Sequence, residues 1–246
     1  SQFGYTISSI TVIFVLIVPI FTMRIMAEEN HQKTDQLLLT APVSITGIVL
    51  GKFLAMVTIF AAGMLVVSTY PLTTMKYSTL VNLKEDYIAI LMFFFMGAAY
   101  MALGMFISAM VESQILAAVL TFAAFIFTLF ADSLASLLPT DNASALIVLS
   151  ILLVIAAIVI YILTKNVWVC LAIPGAIEIV LVVIYLVKAS LFDGILYKLF
   201  NCTAIYAHIS NAVNGIFSLA DLVYFFSVIF MFLFFTVQAI NKKRYA

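Results

Sequence analysis

The stretch Arg24–Ser44, RIMAEENHQKTDQLLLTAPVS, is the polar interruption that decides the fold of this chain. Apolar residues precede and follow it for long enough to cross a bilayer, since a spanning helix needs about 20 of them. Within the stretch, two carboxylates, a histidine and a lysine are followed by three leucines and a proline. The pattern predicts a polar turn between two membrane-spanning helices.

Composition places the whole chain in the membrane class. Of its 246 residues, 66% are hydrophobic and 9% are charged, with a mean hydropathy of +1.26. A soluble domain has about 25% charged residues. The formal net charge is zero, so nothing indicates a nucleic-acid partner. Cys170 and Cys202 lie in different surroundings, and we interpret them as apolar filling rather than as a disulfide or a metal pair.

Seven apolar stretches are long enough to be spanning helices. They are continuous rather than alternating in polarity, which excludes a membrane β-barrel. The sequence therefore predicts an all-α, polytopic membrane protein with a single transmembrane domain over residues 1–246. The predicted spans are Ile7–Met26, Ser44–Tyr70, Tyr87–Met110, Gln114–Leu138, Ser144–Leu163, Trp168–Val187 and Leu222–Ile240.

Lysine and arginine are unevenly shared between the two faces that these spans define. More of them fall on the face of the 24–44 stretch and of the C-terminal NKKRY, so that face is predicted to be cytoplasmic. Seven spans that end in the cytoplasm begin outside. A cytoplasmic N-terminus would therefore need one further span upstream of Ser1, and we expect such a span. The predicted cytoplasmic residues are Arg24, Lys33, Lys52, Lys165, Lys242, Lys243 and Arg244, and the outer ones are Lys76, Lys84, Lys188 and Lys198.

The polar stretch has the pattern of a short surface helix. Thr34 is a suitable N-cap, Asp35 suits the first turn of the helix dipole, and Pro42 ends the pattern. Leu37 and Leu38 give the helix an apolar side. From the residues alone two interpretations remain open: a solvated loop that joins two spans, or a docking helix for a soluble cytoplasmic protein.

Residues 23–55, MRIMAEENHQKTDQLLLTAPVSITGIVLGKFLA, resemble the signature region of permease subunits of type-2 ABC transporters, the ABC-2 family. The family pattern of an arginine, two acids, a Lys-Thr-acid group, two leucines, Pro-Val and Gly-Lys occurs in order. Residues 214–245 resemble the last span of gliding-motility-type permeases, and the chain is also similar to peptide-toxin exporters of Gram-positive bacteria. The matching residues are Arg24, Glu28, Glu29, Lys33, Thr34, Asp35, Leu37, Leu38, Pro42, Val43, Gly51 and Lys52.

The resemblance implies a cytoplasmic coupling helix at residues 28–43, received by a groove on a separate ATP-binding subunit. It also implies a second copy of the permease or a related permease, and a place in the plasma membrane of a bacterium. The usual family core has six spans, so residues 144–187 are an apparent two-span insertion. The coupling residues would be Glu28, Glu29, Lys33, Thr34, Asp35, Leu37, Leu38 and Pro42.

The sequence TGIVLGKF at residues 46–53 echoes a phosphate loop but lacks its first glycine and its final Ser or Thr. It also opens a predicted span, for which Ser44 is a suitable N-cap. We therefore expect no enzymatic activity and no cofactor in this chain, with ATP and Mg²⁺ bound by the partner subunit. Lys52 is interpreted either as a side chain that reaches back to the lipid headgroups or as a contact near the polar stretch.

Glu178 is the acid placed deepest in a predicted span. A carboxyl group there is costly and by default indicates a site, which could bind a cation or a basic peptide group. It could equally be protonated, or bonded to the hydroxyl of Tyr161 or Thr164. A second acid, Glu112, lies in the tight VESQ hairpin and is predicted to cap a helix, with a contact to the partner ATP-binding subunit as the alternative.

Residues 188–221 are too polar to span. Their apolar side chains fall on one helical face, which predicts an amphipathic helix at the membrane surface. In the family this position holds extracellular helices that dip back into the membrane. No metal site is expected, and His208 is interpreted as a hydrogen-bonding residue. The apolar face consists of Ile205, Ile209, Ala212, Val213 and Ile216.

The predicted function is that of the transmembrane subunit of an ATP-driven exporter. The 22 phenylalanines and 11 methionines suit an amphipathic or hydrophobic substrate, such as a toxin or antimicrobial peptide. Lipids and small drugs are the next substrate classes. Two other functions remain open at this level: an ion-coupled carrier that works alone, and a non-transporting membrane anchor of a larger complex.

Overall fold

A computed structural model describes residues 2–34, 44–74, 82–138, 141–164, 167–188 and 192–245. These ranges are helical, with turns between the helices and no strand. The helices are α1 (Gln2–Gln32), α2 (Ile45–Val67), α3 (Tyr70–Thr74), α4 (Leu83–Met110), α5 (Gln114–Ser136), α6 (Asn142–Thr164), α7 (Val167–Val187), α8 (Ile195–Asn201), α9 (Ser210–Val213) and α10 (Leu219–Tyr245). A short 3₁₀ helix, Ala207–Ile209, directly precedes α9.

The predicted spans coincide with long helices. In the described part of the chain, four helical stretches are long and apolar enough to cross a membrane: Ile45–Thr74, Leu83–Met110, Gln114–Ser136 and Leu219–Lys243. The all-helical fold and the membrane character predicted from the sequence are therefore confirmed.

The chain forms two compact units. The first unit comprises residues 1–129 and 205–246, and the second comprises residues 130–204. Within the first unit, α1 and α10 both pack along α4, which is the central helix. Within the second unit, α6 and α7 pack against each other. The predicted insertion, residues 144–187, thus lies wholly inside the second unit.

Small residues let neighbouring helices approach α4 closely. A Cβ atom added to Gly104 would collide with the hydroxyl group of Thr22 on α1. A Cβ atom on Gly97 would come within 3.0 Å of the ring of Phe14 and would also meet the ring of Phe60. Such small-residue contacts are typical of helix pairs in membranes, because dispersion contacts between close backbones replace the hydrophobic driving force. Glycine at these two positions therefore fixes the path of α1.

The apolar face predicted for a membrane-surface helix is instead buried against protein. Ile205, Ile209 and Ala212 are 1–3% exposed, whereas Ile216 is 60% exposed. The 3₁₀ helix and α9 pack on α4, and α9 also packs on α1. The predicted apolar face is therefore confirmed except at Ile216, but it packs on α1 and α4, where the sequence predicts contact with the membrane surface. The segment turns away after α9 at Gly215, whose φ of 78° is left-handed.

Candidate functional site

The polar stretch begins as a continuation of α1. The helix runs to Gln32, so Glu28 and Glu29 belong to it rather than to a separate surface helix. Its end is a Schellman motif. The N–H of Thr34 donates to the carbonyl of Glu29 at 3.1 Å, the N–H of Lys33 donates to Asn30 at 3.3 Å, and Lys33 has the left-handed φ of 56°. The first part of the predicted coupling segment, residues 28–32, is therefore the last turn of α1, and it ends in this hydrogen-bonded turn.

Of the remaining predicted coupling residues, two lie in the described part of the chain and four do not. Glu28 accepts a hydrogen bond from Gln32 at 3.3 Å, one turn along α1. The hydroxyl of Thr34 donates to the carbonyl of Glu29 at 3.5 Å, at the limit of hydrogen bonding. Asp35, Leu37, Leu38 and Pro42, together with the predicted capping of this segment by Thr34, lie outside the described residues.

On the far side of that segment, α2 begins as predicted. The hydroxyl of Ser44 accepts the backbone N–H of Gly47 at 3.2 Å, which is the bond expected of an N-cap.

Lys52 joins α2 to the end of α1. Its ammonium group donates to the carbonyl of Ile25 at 3.0 Å and forms an ion pair with Glu29. The side chains of Lys52 and Glu29 are 22% and 32% exposed. Of the two interpretations of Lys52, the contact near the polar stretch is the one that the structure shows.

Ser108 joins α4 to the same end of α1. Its hydroxyl oxygen accepts the backbone N–H groups of Met26 and Ala27 at 3.2 and 3.0 Å, and its O–H donates to the carbonyl of Met23 at 3.1 Å. Ser108 is fully buried. Because a buried hydroxyl that is satisfied on both sides fixes its neighbours, this contact locks the register of α1 on α4.

The C-terminal end of α4 is capped by side chains of two other helices. The amide of Asn30, on α1, donates to the carbonyl of Val111 at 3.2 Å and reaches that of Ala109 at 3.5 Å. The ammonium of Lys243, on α10, donates to Ala109 at 2.8 Å. The last carbonyls of a helix lack intrahelical partners, and a cation there also interacts favourably with the helix dipole.

These contacts define a basal cluster of five residues at one end of the first unit: Glu29, Asn30, Lys52, Ser108 and Lys243. The cluster joins α1, α2, α4 and α10 where the chain enters residues 35–43. Of its members, the sequence had singled out Glu29, Lys52 and Lys243. Asn30 and Ser108 were missed, although the small-residue spacing of Gly104 and Ser108 in α4 is a signal for a close helix contact.

Glu112, in the hairpin after α4, was predicted to cap a helix, and this prediction is wrong. The residue that caps α5 is its neighbour Ser113, whose hydroxyl accepts the N–H of Leu116 at 3.4 Å. Glu112 is exposed.

A second polar group, the cap cluster of His208, Asn211, Asp221 and Tyr224, holds the segment before α10. The carboxylate of Asp221 lies 2.8 Å from Nδ1 of His208 and accepts the amide of Asn211 at 2.8 Å. The His208 ring stacks on Tyr224, with 3.8 Å between ring centroids. The hydrogen-bonding interpretation of His208 is confirmed, and the described residues contain no group of metal ligands.

Asp86, in the first turn of α4, is only 3% exposed, and its Oδ1 has no hydrogen-bond partner among the described residues. Its position in that turn gives its charge the favourable field of the helix N-terminus.

In the second unit, Glu178 is bonded to a hydroxyl that the sequence did not indicate. The Oγ of Ser150, on α6, lies 2.7 Å from Oε1 of Glu178 on α7. The side chains of Tyr161 and Thr164, the partners considered from the sequence, lie outside the described part of the chain.

Comparison with family models, with curated proteins and with solved structures finds no match for this chain.

Proposed function

We propose that this chain is the transmembrane subunit of an ATP-driven exporter of the ABC-2 type. The observation that supports the proposal best is the basal cluster. It ties both ends of the polar stretch into the helix bundle, through Glu29 on α1 and Lys52 on α2. A force applied to residues 28–43 from outside would therefore reach two helices directly, and α4 and α10 through Asn30 and Lys243.

The coupling would work as a shift between two arrangements of the helices. ATP binding in a partner subunit can change that equilibrium only through contacts that differ between the two arrangements. In this proposal the coupling segment, residues 28–43, supplies such contacts, with Asp35, Leu37 and Leu38 as its docking face. Because α1 is continuous to Gln32, it acts as a rigid lever rather than a flexible tether.

In this proposal residues 1–246 contain seven spans, which are the four helices with clear spanning length together with α1, α6 and α7. The basal cluster and the C-terminus face the cytoplasm of a bacterial cell, and residues 188–221 face outward. This orientation agrees with the basic residues Arg24, Lys52 and Lys243 near the basal cluster. A second copy or a related permease completes the pathway, and ATP and Mg²⁺ belong to the ATP-binding subunit.

We propose an amphipathic peptide, such as a toxin or antimicrobial peptide, as the substrate. Large apolar side chains such as Phe226, Phe230 and Phe234 are exposed on α10. They support contact with lipid and hydrophobic molecules, without distinguishing a peptide from a lipid.

The test is co-purification with an ATP-binding subunit, chosen as the product of an adjacent reading frame that encodes a phosphate loop. Wild-type protein and the double variant Leu37→Asp/Leu38→Asp are each co-expressed with that subunit and purified through a tag on this chain. The expected result is a stable complex with wild type and its loss with the variant. Glu112→Gln, outside the coupling segment, serves as the matched control. Equal recovery of the subunit with both proteins would remove residues 28–43 from the interface.

A further inference from the structure

Glu178 lies on the wall of a groove between α6 and α7 in the second unit. The groove has a volume of about 330 Å³ and is lined by Leu153, Val154 and Ala157 of α6 and by Pro174 and Gly175 of α7, besides Ser150 and Glu178. Its lining is therefore apolar except for one hydroxyl and one carboxyl group. A Cβ atom added to Gly175 would meet no atom within 4 Å, so there is open space beside the carboxyl group.

When the Glu178 carboxyl group is ionised, the Ser150 hydroxyl cannot satisfy it alone. Its oxygen lies 2.7 Å from Oε1 of Glu178 and 2.9 Å from the carbonyl of Leu146, so one hydrogen faces two acceptors. A carboxylate offers about four acceptor sites. Among the described residues, Ser150 is the hydrogen-bond partner of Glu178, and Glu178 is itself part of the lining of the groove.

From this geometry we propose that the groove binds the amino group of an amphipathic cation. An ammonium carries three hydrogen-bond donors and no acceptor, which complements the carboxylate of Glu178. The apolar part of the same molecule packs on Leu153, Val154 and Ala157. A neutral alkyl chain would leave the carboxylate unpaired in an apolar setting, and an anion would be repelled.

The ligand class narrows the substrate of the exporter proposed above to molecules with a basic amino group beside an apolar segment. As a site for the transported molecule, the groove rests on that proposed function. The binding of an amine in the groove is independent of that proposed function, because it requires no ATP-binding subunit. Failure of the two proposals can therefore be distinguished.

The test measures binding of n-octylammonium, with n-octanol as the uncharged probe, to the purified full chain in nanodiscs of zwitterionic lipid, after subtraction of empty nanodiscs. Saturable binding of n-octylammonium near one per chain is expected. Glu178→Gln should weaken it by about tenfold or more, because a charge-assisted hydrogen bond is lost. Gly175→Leu, which fills the open space and leaves the carboxylate in place, should weaken it as well.

Glu112→Gln, which removes an exposed acid outside the groove, should leave amine binding unchanged, and circular dichroism checks the helix content of each variant. Equal affinity in wild type and Glu178→Gln, equal binding of n-octanol and n-octylammonium, or no saturable binding to wild type would each overturn the proposal. A wild-type protein that binds no amine but still forms the complex with the ATP-binding subunit would overturn the groove proposal alone.

Discussion

The ammonium group of Lys52, seven residues into α2, lies 3.0 Å from the carbonyl oxygen of Ile25, near the end of α1, and it also pairs with Glu29. Glu29 and Lys52 lie on the two sides of residues 35–43 in the sequence. One side chain thus closes the loop of chain that contains residues 35–43. The contact therefore joins α1 and α2 directly, beside residues 35–43.

We predict that Lys52 and Glu29 are energetically coupled. Lys52→Met and Glu29→Gln should each lower stability, and the double variant should lose less than the sum, because the second change removes a partner that is already gone. A coupling energy of about 1 kcal/mol is expected for a partly exposed pair. Unfolding of the four proteins in mixed micelles measures it. Strict additivity would show that the pair contributes nothing.

Removal of the Asn30 amide should loosen the junction between α1 and α4. Asn30→Ala leaves the carbonyl of Val111 without its side-chain donor and should cost about 1 kcal/mol. Amide hydrogen exchange at the C-terminal end of α4 and in the hairpin after it should become faster. Gln32→Ala, whose amide donates to Glu28 one turn away on the same helix, is the control. A matching increase in exchange in both variants would contradict the capping role.

Gly104 and Gly63 should respond to alanine with opposite signs. Gly104→Ala places a methyl group against Thr22 and should destabilise the protein by about 1–3 kcal/mol, as overpacking does. Gly63→Ala points into open space and should be neutral or stabilising, by up to about 1 kcal/mol, because alanine favours helix. Thermal unfolding in detergent compares them. A Gly104→Ala protein as stable as Gly63→Ala would mean that α1 does not approach α4 so closely.

The cap cluster should hold residues 205–217 in place. His208→Phe keeps an aromatic ring on Tyr224 but removes the bond to Asp221, so it should release the segment in part. Asp221→Ala removes the bonds to both His208 and Asn211 and should release it further. Hydrogen exchange of the backbone amides in this segment is the measurement. If exchange in both variants is as slow as in wild type, the segment is held by its buried apolar face alone and the cap cluster does not stabilise it.

Asp141, just before α6, gives a prediction with a defined pH dependence. Hydrogen bonds from the backbone N–H and then the hydroxyl of Ser144 hold the pKa of the Asp141 carboxyl below its usual range. A lowered pKa in the folded state stabilises the fold above the ordinary pKa, and that stabilisation is lost as the pH falls through the lowered value. Ser144→Ala should raise the pKa part of the way, because the backbone bond remains. Carboxyl NMR titration reports it; an unchanged pKa would refute the contribution of the hydroxyl.

Much of the fold could be predicted from hydropathy alone, because every long apolar stretch became a helix. The end of α1 could not be predicted in this way. Polarity predicts that the helix ends near Arg24, but Glu28 and Glu29 are charged residues that also favour helix, and α1 continues to Gln32. Side-chain contacts between different helices also could not be predicted from the hydropathy pattern. Ser150 and Glu178 meet only because α6 and α7 pack together, and His208 meets Asp221 only because the chain turns at Gly215.

The apolar face at residues 205–213 shows a different limit. Periodicity identifies which side of a helix is apolar, but lipid and a protein interior satisfy the same periodicity. The position of α4 beneath this segment decides between them. The buried face therefore closes one end of the first unit, where the sequence predicted a helix resting on the membrane.

Coupling through residues 28–43 is tested most directly by the ratio of substrate transported to ATP hydrolysed, in proteoliposomes that contain this chain and the ATP-binding subunit proposed as its partner. Glu29→Gln keeps residues 35–43 intact but weakens the tie between the coupling segment and α2. The account predicts that ATP hydrolysis persists in this variant while transport per ATP falls severalfold, and that Glu112→Gln behaves as wild type. Wild-type transport per ATP in Glu29→Gln, and also in Leu37→Asp/Leu38→Asp, would contradict coupling through this segment.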